Sequence, residues 1–342
     1  MPEFNDAFLR ACRREPAPRT PIWLMRQAGR YQPEYRELRR QHSMAEICAE
    51  PDLAVEVTLM PLRRFDFDAA ILFSDLTVPF ADMGVPFSLK ESVGPVIESP
   101  VRTRSDVSKL TLIEPEECLP APLKAIRLLR RQLHVPLIGF TGAPFTWAAY
   151  MVEGQGSRDY KATRTLMYSD PPTWHALMEL LAENAYRYLR AQIEAGAQAV
   201  QLFDSWVGIL SPSLYRECVL PHMRPIFERL KPLGVPVIHF GTGTASLLEA
   251  MKEAGGDVIG VDWRVSLKEA RARLGDDVAV QGNLDPVVLL GPADGVEREA
   301  CRVLREAGDT PGYIFNLGHG VLPDTPVENV QLLVEVVHGG VS

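Results

Sequence analysis

Two arginines four residues apart, Arg26 and Arg30, follow directly on an apolar run in PIWLMRQAGRYQPEYR, residues 21–36. A guanidinium keeps its charge at any working pH and presents a fork of N–H donors that fits a carboxylate or a phosphate. Two of them at the end of a strand-like run predict a clamp for an anionic ligand. Polar residues recur at the ends of later apolar runs. Ser74 and Asp75 follow AAILF, and Thr141 follows VPLIGF, with Tyr150 further on. Asp204 and Ser205 follow AVQLF, and His239 sits in PVIHF. Asp262 follows DVIGV, Asn283 follows VAVQ, and Asn316 and His319 lie in and beyond YIFNL. Taken singly, each is an ordinary cap or turn residue. Together they make a site if the strands carry them to one end of the fold.

The charge distribution supports an anion clamp. The chain of 342 residues has a net charge of −8, which disfavours general nucleic-acid binding. Residues 1–40 nevertheless carry nine arginines and no lysine against five acids, a net of +4. A solvated basic face is the bland alternative, but arginine without lysine favours fixed, bidentate recognition.

Several chemistries are disfavoured by residue type. A Schiff-base aldolase needs a lysine at a strand end, and all seven lysines fall in helices, loops or a hairpin region. The seven histidines form no H-x-H or H-E-x-x-H, so a metal hydrolase lacks its ligands. GTGT at 241–244 opens a helix and is a weak phosphate signal. Glycoside hydrolysis, with Asp204 and Asp262 as its two carboxylates, stays open at this point.

The elements that must position these residues are legible as eight short, nearly continuous apolar runs. They lie at 21–25, 69–73, 135–140, 199–203, 236–240, 257–261, 278–281 and 313–317. Such runs suit strands covered on both faces. Helical stretches separate them, for example SDPPTWHALMELLAENAYRYLRAQIEAGA, which opens on a Ser-Asp cap and closes near Gly196. Eight strands alternating with helices predict an α/β fold, a (β/α)8 TIM barrel. The competitor is a doubly wound sheet, but RQAGRY stands where that fold often carries G-x-G-x-x-G. VPFSLKESVGPVIESPVRT predicts a β-hairpin inserted after strand 2. No linker or repeat divides the chain, so residues 1–342 are read as one barrel domain, with 1–20 as an N-terminal helix and lead-in loop. No signal peptide or membrane span is expected. Five scattered cysteines without a C-x-x-C pair suit reduced thiols, so a cytoplasmic location is expected.

Six blocks carry a more specific signal. MRQAGRY with PEYR resembles the N-terminal signature of the uroporphyrinogen decarboxylase family. FSDLTVP, TGAPFTWAAYMVEGQGS, QLFDSWVGILSP, VQGNLDP and FNLGHGVLPDTP resemble later blocks of the same family, in its order, out to about residue 326. The resemblance implies a (β/α)8 barrel, a homodimer, and a reaction that uses no cofactor and no metal. That reaction removes four acetate carboxyls from uroporphyrinogen III as CO2, giving coproporphyrinogen III for haem and related tetrapyrrole synthesis. No nucleic acid or membrane partner is implied.

A substrate with eight carboxylates explains the arginines. It makes Asp75 a puzzle, since an anion is set in a pocket for a polyanion. By resemblance the aspartate at this position binds the pyrrole nitrogens. A carboxylate about 4 Å from a protonated pyrrole stabilises that cation by roughly 4 kcal/mol at an effective dielectric of 20. The resemblance also places Tyr150, Ser205 and His319 on active-site positions, for binding and orienting substrate carboxylates. Gln27 is expected as a polar contact and Phe203 as a pocket wall. Arg26, Tyr150 and His319 all stand as proton donors. Gly29, Gly318 and Gly320 are expected to let backbone approach a flat macrocycle.

Two rivals remain. One is the zinc- and corrinoid-linked thiol methyltransferase branch of the same superfamily, which needs a His-x-Cys pair. Here His239-Phe240-Gly241 has glycine in place of the cysteine. The other is a non-enzymatic tetrapyrrole carrier, which would keep the arginines but have no use for Asp75 beside Tyr150 and His319.

Overall fold

Continuous apolar runs need cover on both faces, and the computed structural model, which describes residues 3–90 and 94–339, provides it. The strands are β1 (Ala70–Ile71), β2 (Phe87–Lys90), β3 (Gly94–Ile97), β4 (Leu137–Gly142), β5 (Ala199–Asp204), β6 (Val237–Gly241), β7 (Val258–Gly260), β8 (Ala279–Leu284) and β9 (Tyr313–Leu317). Seven form one parallel sheet in the order β1-β4-β5-β6-β7-β8-β9. Helices cross between successive strands. The longest, Pro171–Ala195, is capped by the Asp170 carboxylate, which accepts from Thr173 N, and ends at Gly196 with φ of 119°. The expected hairpin forms as β2 against β3, with Phe87 opposite Ile97. Its turn at 91–93 lies outside the described residues.

The first expected strand differs from the prediction. Residues 21–25 make one isolated bridge, Ile22 to Phe315, instead of a ladder. Phe315 N donates to Pro21 O at 2.9 Å, and on the other side Asp68 N donates to Ile22 O at 2.8 Å. The segment therefore closes the ring between β9 and the approach to β1. Side chains replace the missing ladder bonds. Ile22 N donates to Asp68 Oδ2 at 2.8 Å, Leu24 N to Gln27 Oε1 at 3.2 Å, and Met25 N to Asn316 Oδ1 at 3.2 Å. Asp68 is buried and also accepts from Asn5, Arg19 and His338. Burial alone would raise its pKa, but these bonds, led by His338, bring it below its ordinary value.

The helix Ala7–Cys12 plugs the N-terminal end of the barrel. Its Phe8, Ala11 and Cys12 pack with Trp23, Ile138, Ala199, Val258 and Ala279. Higher in the interior, Trp23 Nε1 donates to Gln281 Oε1 at 2.9 Å, and Gln281 Nε2 to Gln201 Oε1 at 3.2 Å. Phe140, Phe203 and Phe240 form the next layer, with Phe203 centroids 5.4 and 5.8 Å from its two neighbours. With one end plugged and the interior filled, the loops at the C-terminal ends of the strands are where a site can open.

His239 does not join that site. It lies fully buried between β6 and the outer helices, its ring 5.0 Å from that of Phe227. Burial pushes its pKa from 6.5 down to about 4. The stability this contributes is whole above pH 6.5 and is lost as the pH falls through 4. Protonating such a group costs about 3 kcal/mol. In His239→Leu the fall in Tm between pH 7 and pH 4 is therefore expected to be smaller than in the wild type. His222 and His319, also held near 4, retain the rest of the acid sensitivity. Parallel Tm-against-pH curves for the two proteins would show that His239 is not an acid-sensitive point.

Candidate active site

The turn after residue 25 is not helical. Gln27 N donates to Leu24 O at 2.9 Å, and Arg26 stands in the left-handed region with φ of 58°. A non-glycine residue there carries a cost of order 1 kcal/mol, which the surrounding bonds must hold in place. Gln27 supplies much of that hold. Its side chain is buried, accepts from Leu24 N, and donates to Ala69 O at 3.2 Å. Tyr31 donates its hydroxyl to Gln27 O at 2.7 Å. The Gln27 amide is thus engaged within the protein, stitching the arginine turn to the start of β1. Arg26 and Arg30 are both exposed.

The two strands that flank this turn contribute the next groups. Asp75, half-buried beyond β1, accepts at Oδ1 from Thr77 N at 2.8 Å and from the Thr77 hydroxyl at 2.5 Å. His319, half-buried beyond β9, stands between Gly318 and Gly320. A Cβ on Gly320 would lie 2.4 Å from Arg26 Cδ and 2.6 Å from Arg26 Cγ. What passes close to this glycine is the arginine stem, where sequence reasoning expected the macrocycle. Gly318 likewise faces Trp263 and Asp262, and Gly29 faces Arg26 O.

Tyr150 projects from the helix Pro144–Glu153 and is half-buried in an aromatic wall. Its ring lies 6.4 Å from Phe80 and 5.9 Å from Trp206, and Trp206 lies 5.8 Å from Tyr160. Burial, and then the Asp75 carboxylate, push the Tyr150 pKa up, while Trp206 and Arg26 oppose them. Tyr150 therefore keeps its phenolic proton and sits within electrostatic reach of both Asp75 and Arg26. Burial pushes His319 down to about 4, helped by Arg26 and Arg264 and opposed by Asp262. Its imidazole is neutral at neutral pH. Burial, and then Asp75, push the Cys48 thiol up to about 12, so it is unreactive. Arg30 acts on Tyr35, another neighbour of Cys48.

Phe203 and Ser205 end β5. Phe203 is the half-buried member of the interior phenylalanine layer. Ser205 is half-buried, and its carbonyl accepts from the Thr242 hydroxyl at 2.6 Å.

Other strand-end residues are absorbed into the framework. Asp204 is buried behind the wall and accepts from the Thr146 hydroxyl at 3.1 Å, and burial raises its pKa to about 7. Asp262 is buried too, held by Arg264 and by Gly243 N at 2.5 Å. They are not an open acid–base pair, so glycoside hydrolysis loses its two carboxylates. The same Gly243 bond engages an amide of the GTGT turn. Asn283 Nδ2 donates to Asp262 O and Val265 O, and Asn316 holds Met25 N. Sequence reasoning missed the wall residues Trp206 and Tyr160 and the cation Arg264. The D-S-W and D-W-R triplets after β5 and β7 were the available signals. Among the described residues, no group of three or more His, Cys, Asp or Glu side chains is arranged to hold a metal ion.

Comparison with known proteins follows the same lines. The family described as Uroporphyrinogen decarboxylase (URO-D) matches residues 3–340. The chain is 56% identical over 336 residues to the uroporphyrinogen decarboxylase of Carboxydothermus hydrogenoformans, covering 98% of this chain and 96% of that one. It is 57% identical to that of Sorangium cellulosum, with the same coverage, and 56% identical to that of Thermus thermophilus over 97% of each chain. Among solved structures, a methyltransferase from Methanosarcina mazei superposes with a TM-score of 0.77 over 98% of each chain at 20% identity. That likeness speaks for the fold alone.

Proposed function

The chain belongs to the uroporphyrinogen decarboxylase family and is a carboxy-lyase acting on uroporphyrinogen, and from that premise we propose how its own residues carry the reaction. Each acetate –CH2–COO⁻ becomes –CH3. A pyrrole carbon takes a proton, and the ring becomes a cation. The electrons of the bond to the carboxyl carbon then flow into the ring, and CO2 leaves. The exocyclic methylene takes a proton to become methyl, and the ring carbon returns its own. One proton is consumed per CO2, and four rounds convert uroporphyrinogen to coproporphyrinogen.

Asp75 faces the pyrrole N–H groups and stabilises the cation. Arg26 and Arg30 hold substrate carboxylates, each charged hydrogen bond contributing about 1.5–3 kcal/mol. Tyr150 and Ser205 donate hydroxyl hydrogen bonds to carboxylates, and Phe203 supports the macrocycle from below. The depressed pKa of His319 supports a neutral imidazole that positions a carboxylate rather than an imidazolium acid. Tyr150, with its raised pKa, keeps its phenolic proton beside the acetate, where Arg26 also reaches. Gln27 acts through Arg26, as a positioning residue. The observation that carries this reading is the meeting of Arg26 with Gly320 beside His319, which joins the first and last strand positions of the barrel over one mouth.

The same reading makes residues 1–342 one barrel domain, working as a homodimer in the cytoplasm without cofactor. No described helix is long and apolar enough to cross a membrane.

Anaerobic incubation with uroporphyrinogen III, with and without a strong chelator, tests the reaction. Products are oxidised and counted by carboxyl number. Stepwise appearance of seven-, six-, five- and four-carboxyl porphyrins, indifferent to chelator, is expected. Tight binding without CO2 loss would instead mean a carrier.

A further inference from the structure

One cation near the site has no part in the mechanism above. Arg264 follows β7, and its guanidinium stacks over the Trp263 ring at 4.1 Å. Its Nη1 donates to Asp262 Oδ2, and its backbone N donates to Asp262 Oδ1 at 3.1 Å. Asp262 is itself fixed. It is fully buried, it accepts from Gly243 N, and its carbonyl accepts from Asn283 Nδ2 at 3.0 Å. The arginine side chain on this buried platform is 50% exposed. An unrestrained arginine loses about 2 kcal/mol of rotamer freedom on binding a ligand. Here stacking and an ion pair have already removed much of that freedom, while other donors of the fork stay free.

The platform also lies beside the site. A Cβ on Gly318 would come 2.6 Å from Trp263 N and 3.0 Å from Asp262 Cα, whereas one on Gly320 would meet the stem of Arg26. His319, between the two glycines, is thus flanked by Arg26 on one side and by the segment carrying Arg264 on the other. Both guanidiniums act on its imidazole, which burial already keeps neutral. A neutral donor between two fixed cations suits a ligand whose carboxylates are spread around a ring.

We propose that Arg264 is a substrate-binding residue, which takes a carboxylate of the polycarboxylate tetrapyrrole on the flank of His319 away from Arg26. This rests on the family reading of the site. It adds a third guanidinium to the clamp, supplied by the sixth strand position instead of the first.

Arg264→Gln and Arg264→Lys test it, with steady-state kinetics on uroporphyrinogen. Glutamine keeps a donor toward Asp262 but removes the charge; lysine keeps the charge but not the fork. Because the side chain is half-exposed, Arg264→Gln is expected to raise KM about fivefold to twentyfold, with kcat within about twofold. Arg264→Lys is expected to recover part of that loss. The NMR titration midpoint of His319 should move up in Arg264→Gln, since a neighbouring cation is gone, while Tm stays close to that of the wild type. A KM within twofold of wild type overturns the proposal. So does a parallel loss of kcat and Tm that lysine does not recover, which would make Arg264 a brace for the loop. Wild-type turnover tests the family reading separately. Quenching of uroporphyrin fluorescence gives the variant-to-wild-type binding ratio without turnover, so the two failures are distinguishable.

Discussion

Asp75→Asn is expected to lower kcat by about a thousandfold while changing KM by no more than a few-fold. The size follows from charge. A carboxylate about 4 Å from the protonated pyrrole contributes roughly 4 kcal/mol at an effective dielectric of 20, which is close to three powers of ten in rate. The ground-state substrate carries no such cation, so this interaction strengthens only as the transition state forms. The geometry lets the loop survive the substitution. Asp75 Oδ1 accepts from both the amide and the hydroxyl of Thr77. An asparagine oxygen accepts the same two bonds, so the loop keeps its shape, while an NH2 replaces Oδ2 and takes away both the charge and the acceptor turned to the pyrrole N–H groups. Steady-state kinetics with product counting reads the outcome. If KM takes most of the loss, or kcat and affinity fall together, Asp75 is a binding group and the cation must be stabilised elsewhere.

The second large effect concerns Arg26 and can be reached without touching the arginine. Arg26→Gln is expected to raise KM by about tenfold to a hundredfold, the equivalent of about 1.5–3 kcal/mol for a lost charged hydrogen bond. Gly320→Ala is expected to reproduce much of that increase. The new methyl would lie 2.4, 2.6 and 3.1 Å from Arg26 Cδ, Cγ and Cβ, so the whole stem has to move, not merely its flexible end. The two variants separate charge from placement. Added salt screens exposed charges, so the wild-type KM is expected to rise with ionic strength. Arg26→Gln flattens that dependence, whereas Gly320→Ala, which retains the charge, keeps more of it. An unchanged KM in Gly320→Ala would show that Arg26 does not bind substrate from its position along the loop after β9.

Much of this architecture could be read without coordinates. Strands buried on both faces must be apolar throughout, so AAILF, VPLIGF, AVQLF, PVIHF, DVIGV, VAVQ and YIFNL each announced a strand of the parallel sheet. The helix Pro171–Ala195 was bounded by its Asp170 cap and by Gly196 because capping chemistry is local. The first strand was legible in place but not in kind. Residues 21–25 look like a ladder strand, yet Asp68, Gln27 and Asn316 take three of the backbone N–H groups. Asp68 and Asn316 come from distant positions that no local pattern connects.

The site divides in the same way. By itself the amino-acid sequence determined the family, the barrel and the chemical types at the strand ends: a guanidinium pair, carboxylates, a phenol, hydroxyls and imidazoles. Only the tertiary structure decided which of these polar groups belong to the framework. A one-residue change in register turns a strand residue from the mouth to the helix layer, and so His239 and Asp204 pack outward while Phe203 faces the barrel interior. Contacts between loops far apart in sequence decided the rest, including the stem of Arg26 against Gly320 and the backbone of 262–263 against Gly318. Local sequence sets what a residue can do chemically. Its neighbours across the ring, brought there by barrel closure, set what it is left free to do.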